Sequence, residues 1–124
     1  MKFVRTTGYD QLSNADDIKT LIQEIVESPH DQRIIILDDF GFIAGQASRF
    51  PFGPDLIASE IAWWVEPEAR GENKGAKLME AFEYWAKNVA GCKLISMTSL
   101  DKTVEKIYKR KGYQLYERAY MKVL

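Results

Sequence analysis

The chain has 124 residues, 46% of them hydrophobic and 12% aromatic, with a formal net charge of −1. That length suits one domain of ordinary size, and that composition excludes a low-hydrophobicity disordered chain. A single cysteine, Cys92, excludes an intrachain disulfide framework and fits a reducing, cytoplasmic setting.

No apolar run approaches the ~20 residues that would span a bilayer, and the opening MKFVRTTGYD lacks the apolar stretch of a signal peptide. KFVRTT reads as a short first strand. SNADDIKTLIQEIVES reads as a helix, with Ser13 and Asp16 as a capping pair and Ile18, Leu21, Ile22 and Ile25 on one face. RIIILDD is a β-branched strand, DDFG a turn and FIAGQASRF its return, so residues 33–50 form a hairpin. FPFGPD breaks the pattern, and LIASEIAWWV is the next strand, ended by Pro67.

Helix and strand then alternate. In KGAKLMEAFEYWAKNVAG, Leu78, Met79, Phe82, Trp85, Ala86 and Val89 fall on one helical face, and Gly91 is a natural stop. CKLISMT is a strand and DKTVEKIYKRKG a helix ended by Gly112. YQLYER and AYMKVL read as a closing pair of strands. The strand–helix–strand over 57–98 has βαβ spacing, which makes its two strands parallel. The expected class is α+β, a mixed sheet with helices on its faces.

Charge is divided along this order. Residues 1–69 carry five Lys/Arg against twelve Asp/Glu, a net −7, and residues 70–124 carry twelve against six, a net +6. The crossover falls at Arg70, in a turn that also holds Gly71, Lys74 and Gly75 and opens a helix. The first N–H groups of a helix lack partners and sit at the positive end of its dipole, so the turn is either an anion site or an ordinary strand–helix connection. It matches neither the P-loop G-x-x-x-x-G-K-[ST] nor the dinucleotide G-x-G-x-x-G.

EIAWWVEPEARGENKGAKL resembles the acetyl-coenzyme A motif of the GNAT N-acetyltransferases, a strand ending in V-x-P followed by [QR]-x-x-G-x-[GA]. Arg70 falls on the [QR] position, Asn73 on the middle glycine, and Gly75 and Ala76 near the close. VEKIYKRKGY resembles the family's second signature, a tyrosine on the last helix before a Gly-aromatic pair. Two signatures at the family's separation are more specific than either alone. Asn73 departs from the pattern; if φ is positive there, Asn is the next best tolerated residue after Gly. Lys74 replaces an aliphatic residue, and Asp101 stands where the family often has Asn.

The resemblance implies one GNAT-like domain over 1–124 with a shortened N-terminal part. Its sheet would be mixed and mostly antiparallel, with a splayed parallel pair at the centre. It implies transfer of an acetyl group from acetyl-coenzyme A to a primary amine, by direct attack in a ternary complex. The pantetheine arm would pair with the backbone of Trp63, Trp64 and Val65, with an N–H near Val65 for the oxyanion. Arg70, Gly71, Glu72, Asn73, Lys74, Gly75 and Ala76 would hold the pyrophosphate, with Asp101 nearby. Glu60 corresponds to the base and Tyr108 to the acid that protonates the thiolate. Relatives are often homodimers.

Each residue also has a plainer reading. Glu60 could be a polar strand residue and Tyr108 a core tyrosine. Strand alternation puts Glu60, Ala62 and Trp64 on one face and Ile61, Trp63 and Val65 on the other. His30 stands alone in a Pro29 loop, Cys92 reads as a small core residue, and no His/Cys grouping has zinc-ligand spacing, so no metal is expected. The run Lys106, Lys109, Arg110, Lys111 complements a helix C-terminus and could meet a phosphate. The alternatives to an enzyme are a non-catalytic acetyl-coenzyme A-binding module and a nucleic-acid-binding domain. The acidic first half suggests an open groove for a cationic acceptor, a polyamine or a lysine-bearing peptide or protein, with Glu66, Glu68 or Asp55 near its rim.

Overall fold

The computed structural model describes residues 15–27, 32–71, 73–99 and 102–124. The expected strand KFVRTT, the cap at Ser13, the Pro29–His30 loop, Glu72 and Asp101 lie outside them. The described elements are helix α1 (Ala15–Glu27), strands β1 (Arg33–Asp38), β2 (Gly41–Arg49) and β3 (Leu56–Val65), helix α2 (Lys74–Tyr84), strand β4 (Leu94–Ser96) and helix α3 (Lys102–Arg110). The sheet runs β1-β2-β3-β4, antiparallel except for the parallel pair β3–β4, as the βαβ spacing requires.

The hairpin turn is made by Asp38, whose carboxylate accepts from the N–H groups of Phe40 (2.7 Å) and Gly41 (2.8 Å). Gly41 permits the close approach of β3: a Cβ there would lie 2.0 Å from the Trp64 carbonyl oxygen. On β2, Gly45 leaves room for Phe82, whose ring would be 2.3 Å from an added Cβ. Phe82, Ile43 and Met79 are fully buried there, and Phe82 stacks on Trp85 with centroids 5.8 Å apart. This α2-against-sheet packing is the core that carries the site. Burying side chains of this size contributes about 1.5–3 kcal/mol each.

Three sequence expectations are corrected. The helix does not run regularly to Gly91: it widens into one π turn over Trp85–Val89, with Ala90 N–H donating to Trp85 O at 2.9 Å. The extra residue in that turn shifts the helical phase. Val89, expected on the buried face, is therefore 56% exposed, while Trp85 and Ala86 stay inside. The second correction concerns YQLYER and AYMKVL, because no strand forms over 113–124. Leu115, Tyr116, Tyr120 and Met121 are exposed along it. High β-propensity makes a strand only where a partner supplies the ladder, and no described strand pairs with this segment.

The third correction is to strand alternation. β2 and β3 pair Gly45 with Glu60 but Ala44 with Ala62, so Ile61 is an extra, bulged residue. Directly opposed residues share a face. Glu60 therefore lies with Gly45 and Ala58, and beyond the bulge Trp63 and Val65 lie with Ile43 and Gly41. Glu60 is on the same face as Trp63 and Val65, not the opposite one. One inserted residue inverts a period-2 pattern.

Candidate active site

Parallel pairing between β3 and β4 covers only Ile57↔Leu94, Ala58↔Ile95 and Ser59↔Ser96. Beyond it the strands part, and no described strand covers that edge of β3 from Glu60 to Val65. Backbone N–H and C=O groups on such an edge need partners. An extended amide-bearing ligand supplies them. Trp63, Trp64 and Val65 are the last three residues of this stretch.

β3 then enters a short 3-10 turn, Pro67–Ala69. Arg70 closes it: its Nε donates to Val65 O at 2.9 Å, and its guanidinium carbon lies 4.5 Å from the centre of the Trp64 ring. Gly71 has φ +88° with open space where a Cβ would point. Asn73 has φ 63° and ψ 13°, a left-handed conformation, and its side chain does not cap α2. The position does need positive φ, so Asn for Gly preserves the turn at a modest steric cost. The N–H groups of Lys74, Gly75 and Ala76 form the first turn of α2, where intrahelical partners are lacking. Lys74 Nζ lies over the Phe40 ring, 4.1 Å from its centre.

Gly75 serves packing as well as the turn. A Cβ at 75 would lie 3.1 Å from Trp63 Cζ2 and 3.5 Å from Val65 Cγ2. It seats the start of α2 on the end of β3.

Glu60 stands where the strands diverge. Thr98, two residues past β4, donates from Oγ1 to Glu60 Oε2 at 2.9 Å. Burial pushes the Glu60 carboxyl up to about 7, partly offset by that hydrogen bond, which favours the charged form. Tyr108 on α3 is 7% exposed and donates from its hydroxyl to the Thr98 carbonyl at 2.6 Å. Its ring stacks on Trp63 (6.0 Å) and leans on Tyr113 (5.5 Å). Tyr113 donates to Glu83 Oε1 at 3.0 Å and Lys111 pairs with Glu80, which together moor the end of α3 to α2. Burial first, and then the Glu83 carboxylate, hold the Tyr113 phenol neutral by raising its pKa.

Glu60 and Tyr108, named from sequence, thus meet at one residue that was not. Thr98 falls in CKLISMTSL as a polar residue after an apolar run, and nothing local in the sequence distinguishes it. Glu66 and Glu68, expected near an acceptor rim, lie at the far end of β3, roughly 20 Å of strand from Glu60. They belong to the Pro67–Ala69 turn instead. Cys92 is buried, and burial raises its pKa, which suppresses the thiolate and fits a core role. No helix among the described residues is long and apolar enough to cross a membrane.

A sheet splayed at a parallel pair, with a left-handed turn and open helix N-terminus beside the splay, suits an extended amide-bearing ligand that ends in an anion. The acetyltransferase (GNAT) domain family matches residues 30–115, and the chain belongs to that family of N-acetyltransferases. Among solved structures, it is similar to AAC(6')-Iy in complex with the bisubstrate analogue CoA-S-monomethyl-acetylneamine (22% identity, 90% of this chain and 80% of that one, TM-score 0.69). It is also similar to glucosamine-6-phosphate N-acetyltransferase from Arabidopsis thaliana (16%, 98% and 88%, TM-score 0.72). A third is a GNAT family acetyltransferase from Staphylococcus aureus (22%, 94% and 84%, TM-score 0.67). At these identities the likeness is one of fold. No curated protein matches the sequence.

Proposed function

We propose that the chain transfers the acetyl group of acetyl-coenzyme A directly to a primary amine, with Glu60 as base and Tyr108 as acid. The observation that carries the reading is the position of the Glu60 carboxyl, held by the Thr98 hydroxyl at 2.9 Å just past the last β3–β4 pair, where burial pushes it up to about 7. A base with a pKa near the working pH has both the ionised fraction and the basicity to take a proton from an ammonium.

The residues divide the work as follows. The open edge of β3 at Trp63–Val65 pairs with the amides of the pantetheine arm. The amides of Lys74, Gly75 and Ala76, presented by the left-handed Asn73, receive the pyrophosphate, with the charges of Arg70 and Lys74 adjacent. When bound, acetyl-coenzyme A supplies an activated thioester carbonyl. Glu60 removes a proton from the acceptor ammonium, freeing the lone pair that bonds to that carbonyl carbon. The C–S bond breaks, the phenol of Tyr108 gives its proton to the sulfur, and the bonded nitrogen releases its second proton to solvent, which leaves a neutral amide and returns a proton to the phenolate. For that donation the hydroxyl must turn from the Thr98 carbonyl toward the splay.

The acceptor we favour is a cationic amine, a polyamine or a lysine side chain. Support comes from the net −7 of residues 1–69 and from the Glu60 carboxyl at the splay. The test is thiol release from acetyl-coenzyme A over a panel of small amines, polyamines, aminoglycosides and peptides. Turnover with a cationic amine upholds the reading. Coenzyme A binding by calorimetry with no turnover on any amine overturns it in favour of a binding module.

A further inference from the structure

We infer that Thr98 is a positioning residue that orients Glu60 and sets it against Tyr108. The inference deepens the transfer reading above and rests on Glu60 being the base.

The two groups belong to different elements. Glu60 is on β3 and Tyr108 on α3, and the sequence separates them by the whole of α2 and β4. Thr98 links them through two different atoms. Its hydroxyl donates to Glu60 (2.9 Å) and its carbonyl accepts from Tyr108 (2.6 Å). A hydroxyl has one proton, so while it is given to Glu60 the Thr98 oxygen offers only lone pairs to any other group. It thereby pins one carboxylate oxygen, Oε2. The bond is made beyond the last paired residues of β3 and β4, Ser59 and Ser96. In the splay no ladder hydrogen bond fixes the spacing of the strands, and the Thr98 side chain ties them together instead.

The electrostatics agree with this geometry. Desolvation is the first cause of the raised Glu60 pKa and the Thr98 hydrogen bond opposes it. Tyr108, reached through the Thr98 carbonyl, is the titratable group from α3. Thr98 is therefore the protein's means of keeping the buried carboxyl from rising further.

The test uses Thr98→Val, which keeps shape and the carbonyl that Tyr108 uses, and Thr98→Ser, which restores the hydroxyl. Glu60 is titrated by carbon-13 carboxyl NMR in each folded variant, with Glu60→Gln identifying its resonance, and kcat/KM is measured against pH. In Thr98→Val the Glu60 titration moves to higher pH, the acid limb of kcat/KM moves with it, and kcat/KM at pH 7 falls about threefold to tenfold. Thr98→Ser returns both to wild type. A Glu60 titration that is the same in wild type and Thr98→Val overturns the inference. A shifted titration in a protein that releases no thiol with any amine upholds the positioning role and defeats the transfer reading. Turnover with an unshifted titration does the reverse.

Discussion

Trp63 and Tyr108 stack face to face, with ring centroids 6.0 Å apart and planes inclined by 28°. The contact joins the end of β3 to α3 and fixes where the Tyr108 hydroxyl can swing. It also separates two roles of one residue, the ring that packs and the proton that reacts.

Tyr108→Phe keeps the ring and removes the proton. Turnover is expected to fall about 10–10³-fold, in line with general-acid contributions, with coenzyme A affinity unchanged by calorimetry. The lost bond to the Thr98 carbonyl should cost about 1 kcal/mol in urea unfolding. Unchanged turnover, with chemistry shown to be rate-limiting, would leave Tyr108 as core alone.

Glu60 gives two pH dependences of opposite benefit. As its carboxyl ionises, kcat/KM should rise with pH and level off above about 7. Stability should run the other way. The folded pKa is raised from 4.5 to about 7, so the unfolded chain releases this proton first. The contribution is complete below about 4.5 and is lost as pH rises to about 7. Glu60→Gln should abolish the activity limb and, at pH 8, be more stable than wild type by on the order of 2 kcal/mol, discounted for the partial exposure of the group. Equal stability of the two proteins at pH 8 would argue against a desolvated carboxylate.

Asn73→Asp tests the turn with changes of opposite sign. Asp tolerates left-handed backbone almost as well as Asn. Its charge at the N-terminus of α2 should stabilise the free protein by roughly 0.3–1 kcal/mol. The same charge should repel the pyrophosphate and weaken coenzyme A binding by about tenfold or more. Tighter or equal binding would remove the anion from this turn. Gly75→Glu is a poorer probe, because its Cβ would first press on the Trp63 ring, 3.1 Å away.

The acceptor groove responds to salt if it selects a cation. The KM for the preferred amine should rise with ionic strength, since screening lengths fall from about 10 Å at 0.1 M to about 3 Å at 1 M. An anionic preferred acceptor, or a KM indifferent to salt, defeats the cationic proposal.

Sequence alone determined the elements whose signal is local. LIASEIAWWV and RIIILDD are apolar and β-branched enough to be strands wherever they pack. The run from Val65 to Gly75 carries its turn in its own chemistry, with a proline, glycines and an Asn able to hold φ 63°. These decisions rest on dihedral preferences and periodicity within a few residues, so they survive without knowledge of the rest of the chain. The tertiary structure decided what depends on partners. The bulge at Ile61 exists only in the register between β2 and β3, and it moved Glu60 to the face of Trp63. The π turn at Trp85–Val89 re-phased Val89 into solvent, and no partner strand turned residues 113–124 into a ladder. Thr98 reaches Glu60 across a sequence separation of 38 residues. A hydrogen bond of that span is set by how two strands diverge after packing on α2, and no residue-to-residue pattern along the chain encodes that divergence.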